Sequence, residues 1–467
     1  MNHHARSVAS IATLLVGLGC GAIAGDSASQ FTVPITYYKL PNGLKVALSR
    51  DTTAPLVVVA VYYNIGFRIE PKNRTGFAHL FEHLMFEGSK NLPKGEFDKL
   101  IEGNGGVSNG STRFDFTNYF EVVPSHVLET MLWGEADRMK SLALSEESLK
   151  NQQGVVGNEV KVNVLNRPYG GFPWLDMPQY ANKNWYNAHN FYGDLADIEA
   201  ATLKDAQEFE QTFYAPNNAA LALVGDFDED QAKKWIEKYF GSIPSSKLPE
   251  KAELSEPRQD AEQRFTKTDK LAEKPALAIA YHVPERLTPE HYAMVLLDQI
   301  LLQGNDSLLT QELVKKRGYT DSVDGGINSD LGNAFNYNGP MLWMASLIHD
   351  SSVKPDQILA AADPVIDSVR EKPVSREQMD RALVKLRAQY YKDMTQFGGL
   401  GRADLMASFS LFNDNPALIN NLERDLRSVT PELIQKTAKE YLRRTNRTVL
   451  VVEAGAAGKA KAAGGEQ

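Results

Sequence analysis

The chain repeats itself, and the repeat limits what it can fold into. The stretch Phe77-Ala-His-Leu-Phe-Glu-His-Leu-Met-Phe-Glu-Gly88 lies on Ala293-Met-Val-Leu-Leu-Asp-Gln-Ile-Leu-Leu-Gln-Gly304 without a gap. Most apolar positions and the terminal glycine agree. Thr202 to Phe213, followed by a β-rich run, recurs as Thr430 to Tyr441 followed by Val449 to Val452. The shared order implies two copies of one domain. The length of 467 residues agrees, since one domain usually takes roughly 150. The segment 241–274 is rich in Pro, Ser, Lys and Glu, has little periodicity, and reads as a linker. The expected domains are therefore 31–240 and 275–454, with a Gly/Ala/Lys-rich tail at 455–467.

Within the first copy, strand and helix patterns alternate. Leu44 to Leu48, Leu56 to Tyr63, Thr117 to Val123 and Asn218 to Val224 are β-rich. Gly76 to Glu87, Val127 to Leu142 and Glu146 to Val164 have helical periodicity. The fold class predicted is α+β: two repeated domains, each an antiparallel sheet with helices packed mainly on one face.

Residues 1–24 read as an export signal. Arg6 supplies the positive start, an apolar run follows from Val8 to Ile23, and Ala22-Ile23-Ala24 is an A-x-A cleavage site. Cys20 invites a lipoprotein reading, but Gly17 stands where a large apolar residue is usual, so cleavage after Ala24 is preferred. Cys20 is the only cysteine, so the mature chain has no disulfide, thiol nucleophile or cysteine metal site. No second apolar run is long enough to span a bilayer, and the expected location is the periplasm. A net charge of −9 without Lys/Arg-rich stretches argues against nucleic acid as a partner.

The chemistry concentrates at His79-Leu80-Phe81-Glu82-His83. On a helix, Glu82 falls roughly 60° to one side of His79 and His83 roughly 40° to the other, so all three share a face. Two neutral imidazoles one turn apart can grip one Zn²⁺, and a carboxylate beside them can serve as the base that activates water. Left as core residues, the same groups would be buried without partners, at high cost. The second copy has Val295, Asp298 and Gln299 at these places and cannot bind a metal in this way.

H-x-x-E-H is the inverted zinc-peptidase motif. With it, the sequence resembles the insulinase-like (pitrilysin-type) zinc peptidases, which include the mitochondrial processing peptidase. That family draws a third ligand from a glutamate about 75 residues downstream, and Glu159 in Val155-Val156-Gly157-Asn158-Glu159 matches it. Other matching segments are Gly105 to Thr112 with Asn118-Tyr119, Ala136-Asp137-Arg138-Met139, Pro168-Tyr169-Gly170, Ala215-Pro216-Asn217-Asn218 and Gly225-Asp226-Phe227. The resemblance covers most of residues 35–455. It implies one Zn²⁺ per chain, held by His79, His83 and Glu159, with Glu82 as catalytic base. It also implies an edge strand around Val107, Ser108, Asn109 and Gly110 that receives an extended peptide, which favours unfolded or small polypeptides.

Two departures stand out. A second glutamate that many members carry seven residues before the third ligand is Gln152 here. An arginine-tyrosine pair, seven apart in the non-metal half, is represented by Val314 and Asp321, with Tyr319 close by. The resemblance therefore implies a heterodimer with a zinc-free paralogous subunit that brings the pair. The alternative is a homodimer that uses Tyr319 or another donor. Competing function classes are a non-catalytic or chaperone-like subunit of the same family and a zinc hydrolase of non-peptide substrates. The first typically lacks the ligands that this chain retains.

Overall fold

The computed structural model describes residues 32–455. The leader 1–24, Cys20 and the tail beyond Gly455 lie outside the described residues. The strands are β1 (Thr36–Lys39), β2 (Lys45–Arg50), β3 (Leu56–Tyr63), β4 (Val107–Thr112), β5 (Thr117–Pro124), β6 (Ala219–Gly225), β7 (Gln263–Asp269), β8 (Ala276–His282), β9 (Asp324–Ile327), β10 (Leu342–Ile348) and β11 (Arg447–Ala454). They form a six-stranded sheet, β1-β2-β6-β3-β5-β4, and a five-stranded sheet, β7-β11-β8-β10-β9.

Set β1 aside and the two orders coincide strand for strand. Each sheet has a single parallel pair at the same place, β2 with β6 and β7 with β11, and is otherwise antiparallel. The faint sequence repeat is thus a full repeat of topology. Its helices agree too: Thr202 caps Leu203–Phe213 and Thr430 caps Pro431–Tyr441 through their side chains. The stretch read as linker needs correction, because it contains β7, the second copy's equivalent of β2. As an edge strand β7 is half exposed, and Phe265 is its only large apolar residue, so the apolar run that betrays a buried strand is missing.

Central strands β3 (LVVVAVYY) and β6 (AALALVG) are apolar along their length because both faces are covered. Val57, Val59, Val61, Leu221 and Leu223 meet the first copy's own helices through Leu80, Leu84, Met131 and Phe209. The opposite face has a small centre, Ala47, Ala60, Ala220 and Ala222, flanked by Val58, Tyr62 and Val224. Those alanines let helix Leu400–Asn413 of the second copy lie close, with Ala403, Met406 and Ala407 in the same core. The loan is reciprocal. Met177 and Ala181 of helix Asp176–Ala181, from the first copy, pack on Ala278, Ala280 and Leu450 of the second sheet. From Val33 to the end of the described residues the chain is one compact unit. Among the described residues no helix is long and apolar enough to cross a membrane.

Ala222 is fully buried on that small face. Ala222→Leu is expected to overpack the contact with the borrowed helix and destabilise the chain by about 1–3 kcal/mol, read by urea denaturation.

Candidate metal centre

Helix Phe77–Leu84 presses Phe77, Leu80, Phe81 and Leu84 into the core and leaves His79, Glu82 and His83 outside that apolar cluster. Gly76 starts it in the left-handed region at φ 83°, where a Cβ would come within 2.9 Å of the Gly193 Cα. Two of the amides at this end are satisfied by a buried carboxylate. Glu70 accepts from Gly76 N at 2.9 Å and Ala78 N at 2.7 Å. Burial raises the Glu70 pKa, and His189, 3.5 Å away, pulls against that rise. His189 is itself fixed, stacked on the Trp185 ring at 4.2 Å.

The polar stripe meets a second helix, Glu146–Val160. His79 Nε2 lies 3.2 Å from His83 Nε2, and Glu159 places one oxygen 3.6 Å from the first and the other 3.3 Å from the second. Glu159 stands one residue from that helix's end, just before a π-helical stretch, Lys161–Leu165. From that stretch Asn163 Nδ2 reaches Glu159 Oε1 at 3.4 Å, and the Tyr192 hydroxyl donates to the same oxygen at 2.5 Å. The hydrogen bond from His83 is the main cause that holds Glu159 down at about 2, against its burial. Burial, then the neighbouring His83, pull His79 down to about 4. Burial also pulls on His83, but the hydrogen bond to Glu159 and the charge of Glu82 outweigh it and leave His83 raised.

A tetrahedral zinc with bonds of about 2.0–2.1 Å needs its donors about 3.3 Å apart. The histidine nitrogens, 3.2 Å apart, meet that requirement, and the Glu159 carboxylate brings one oxygen to 3.6 Å from His79 Nε2 and its other oxygen to 3.3 Å from His83 Nε2. Among the described residues this is the one group of three such side chains within metal-binding reach. Two imidazoles and one carboxylate are also the donor chemistry that zinc accepts.

Glu82 sits beside the trio. The Thr112 hydroxyl donates to its Oε2 at 2.6 Å, and burial raises its pKa. Thr112 ends β4, which pairs only with β5 and leaves its other edge open among the described residues. Val107, Ser108, Asn109 and Gly110 lie on this strand. Gly110 lets the edge approach the acid, since a Cβ there would come within 3.3 Å of the Glu82 Cγ.

Sequence reasoning missed Glu70, Thr112, Asn163, Tyr192 and His189 as parts of this site. Glu70 lies too far ahead of the helix for a capping pattern, Asn163 stands one turn past Glu159 at i,i+4 spacing, and Thr112, Tyr192 and His189 reach the site only through the fold. The departure at Gln152 has a physical account. Its amide donates to Glu87, which Lys94 also meets at 2.5 Å, so a glutamate at 152 would set two buried carboxylates together. Nothing in the structure explains Gly154 or Gly157, which have room for a side chain. In the second copy, Asp298 stands at the place of Glu82 and accepts from Trp343 Nε1 at 2.7 Å and Gln303 Nε2 at 3.3 Å. Burial pushes it up to about 6.

Two profiles of one peptidase family match the chain. The profile described as "Insulinase (Peptidase family M16)" matches residues 45–172, and "Peptidase M16 inactive domain" matches 200–386. The chain belongs to the insulinase family. Its second profile spans Val295, Asp298 and Gln299, the positions without ligands. The chain is 27% identical to zinc protease PqqE of Helicobacter pylori over 453 residues, covering 94% of this chain and 96% of that protein. It is 21% identical to mitochondrial-processing peptidase subunit beta of Saccharomyces cerevisiae, over 75% of this chain and 76% of that one. A solved protease from Helicobacter pylori superposes with a TM-score of 0.82 at 25% identity, covering 91% of this chain and all of that one.

Glu70→Ala is expected to strip two buried amides at the start of the motif helix of their partner. Stability should fall by about 1–3 kcal/mol, measured by chemical denaturation.

Proposed function

We propose that the chain is a zinc-dependent endopeptidase that hydrolyses unfolded or small polypeptides. His79, His83 and Glu159 hold one Zn²⁺, and Glu82 is the base. The observation that carries this reading is the convergence of the three donors, from two helices, beside an acid and an open strand edge. When bound, zinc supplies Lewis acidity and brings the pKa of water toward neutrality. The chain's own residues do the rest. The exposed edge of β4 offers unpaired backbone groups to an extended peptide and holds it in register. Burial raises the proton affinity of Glu82, and the Thr112 bond to Oε2 leaves Oε1 to take the proton of the attacking water and return it to the leaving amine. Tyr192 and Asn163 fix the Glu159 carboxylate.

The reading of residues 1–24 as an export leader puts this work in the periplasm. The partner we propose is a zinc-free paralogue. Val314 and Tyr319 are half-buried against the second copy's core, and Asp321 is exposed, so no arginine-tyrosine pair is presented at these positions. A heterodimer in which the paralogue brings the pair completes the site.

Glu82→Gln is expected to keep zinc at wild-type stoichiometry while peptide hydrolysis falls by roughly 10²–10⁴-fold. Near wild-type cleavage by this variant would remove Glu82 from the role of base. For the partner, turnover of an unfolded peptide by the chain alone should be low and should rise when the paralogue is added. Full turnover by a homodimer, unchanged on addition, would overturn the heterodimer.

A further inference from the structure

The amide of Gln152 joins the metal centre to a carboxylate outside it. Gln152 stands seven residues before Glu159 on helix Glu146–Val160, so the two side chains leave the helix within about 20° of each other. Gln152 is buried, and its Nε2 donates to the carboxylate of Glu87, which is buried too. An amide offers a donor at one end and an acceptor at the other. With Nε2 on Glu87, Oε1 is left for His83, and the bond between Gln152 and His83 favours the protonated imidazole. On its far side Glu87 meets Lys94 Nζ at 2.5 Å, and the Lys94 side chain is 56% exposed. The line Lys94–Glu87–Gln152–His83 thus runs from solvent to the centre.

A histidine that holds a metal through one nitrogen ordinarily donates the other to a carboxylate, a backbone carbonyl or water, and a carboxylate there makes it a stronger base. His79 Nδ1 is buried and finds no hydrogen-bond partner among the described residues. Behind His83 a neutral amide takes the carboxylate's place, and the charge sits one group further back, at Glu87. The second copy uses this place differently. Gln303 stands where Glu87 does, and its amide is turned to Asp298 at 3.3 Å and the Gly325 carbonyl at 3.1 Å.

A mere tie between two helices would need only the bond between Gln152 and Glu87. Here the amide also engages a proposed ligand, and the acid also engages a surface cation. Hydrogen bonds in such a chain polarise one another.

We infer that Gln152 is a positioning residue for His83, and that the line from Lys94 sets how tightly the centre holds Zn²⁺. The inference rests on the proposed zinc reading of the trio. Glu87 polarises the Gln152 amide, the amide strengthens His83 as a donor to the metal, and Lys94 opposes Glu87. Histidines without a carboxylate behind them hold zinc less tightly. The centre therefore exchanges its metal, and the share of active chains follows the zinc supply.

The test is the zinc Kd of the metal-stripped protein, measured by competition with a fluorescent chelator, for the wild type and four variants. The double variant Glu87→Gln, Gln152→Glu exchanges the two groups at nearly constant volume and sets the carboxylate directly on His83. It should tighten zinc binding about tenfold, and Gln152→Ala should weaken it about ten- to a hundredfold. Glu87→Gln should weaken binding by a smaller factor. Lys94→Gln should tighten it by up to about fivefold, the size of an exposed ion pair. Opposite signs for the two members of one ion pair are the signature of charge acting on the metal, since loss of a structural tie would weaken binding in both. Should the double variant fail to fold, these two signs decide. An unchanged Kd in a folded double variant, or weakening by both Glu87→Gln and Lys94→Gln, would overturn the inference. Hydrolysis of an unfolded peptide is read on the same samples. Zinc affinities in the expected order without any hydrolysis keep the relay and sink the peptidase. Hydrolysis with equal affinities across the set sinks the relay alone.

Discussion

Two imidazoles and two carboxylates crowded into one partly buried pocket are costly unless something binds them together. The rest of the structure is arranged around that cost. The motif helix is pinned to the sheet by an apolar stripe on one side, and its first turn is held by the buried Glu70 carboxylate. The Glu159 helix runs into a π-helical stretch that brings Asn163 onto the Glu159 carboxylate, and Tyr192 adds a second donor to it. Thr112 binds Glu82 from the sheet edge, which ties the acid to the strand proposed to hold substrate. The three proposed ligands are thus oriented by groups outside the trio.

The second copy shows what the same scaffold becomes without this task. Its helix carries Val295 and Gln299 where the histidines stand, and the acid at the third place is shortened to Asp298. That acid is bound by an indole and an amide, and Gly326 approaches it as Gly110 approaches Glu82. The place is filled from within. What the second copy contributes instead is structural: its helix Leu400–Asn413 covers the back of the metal-side sheet.

Much of this was legible in the sequence, for physical reasons. His79, Glu82 and His83 share a face because their spacing matches the helical period, and local periodicity is what a sequence records best. The central strands announce themselves because burial on both faces demands unbroken apolar runs. The repeat was visible because core positions tolerate few changes of size. Strand β7 was hidden, since an edge strand needs little apolar residue content. Glu70 was hidden because it stands ahead of the helix outside the usual capping positions, and Thr112 and Tyr192 because they reach the site from distant parts of the chain. Gln152 looked like a loss until Glu87 was seen beside it.

The central claim is that His79, His83 and Glu159 together hold one zinc. Zinc K-edge absorption on the purified protein tests it most directly, with metal content measured on the same sample and on the His79→Ala, His83→Ala double variant. The account predicts one zinc per chain in the wild type, an all nitrogen and oxygen first shell at about 2.0–2.1 Å with two imidazoles, and loss of zinc from the double variant. Zinc retained at wild-type stoichiometry by that variant would contradict it.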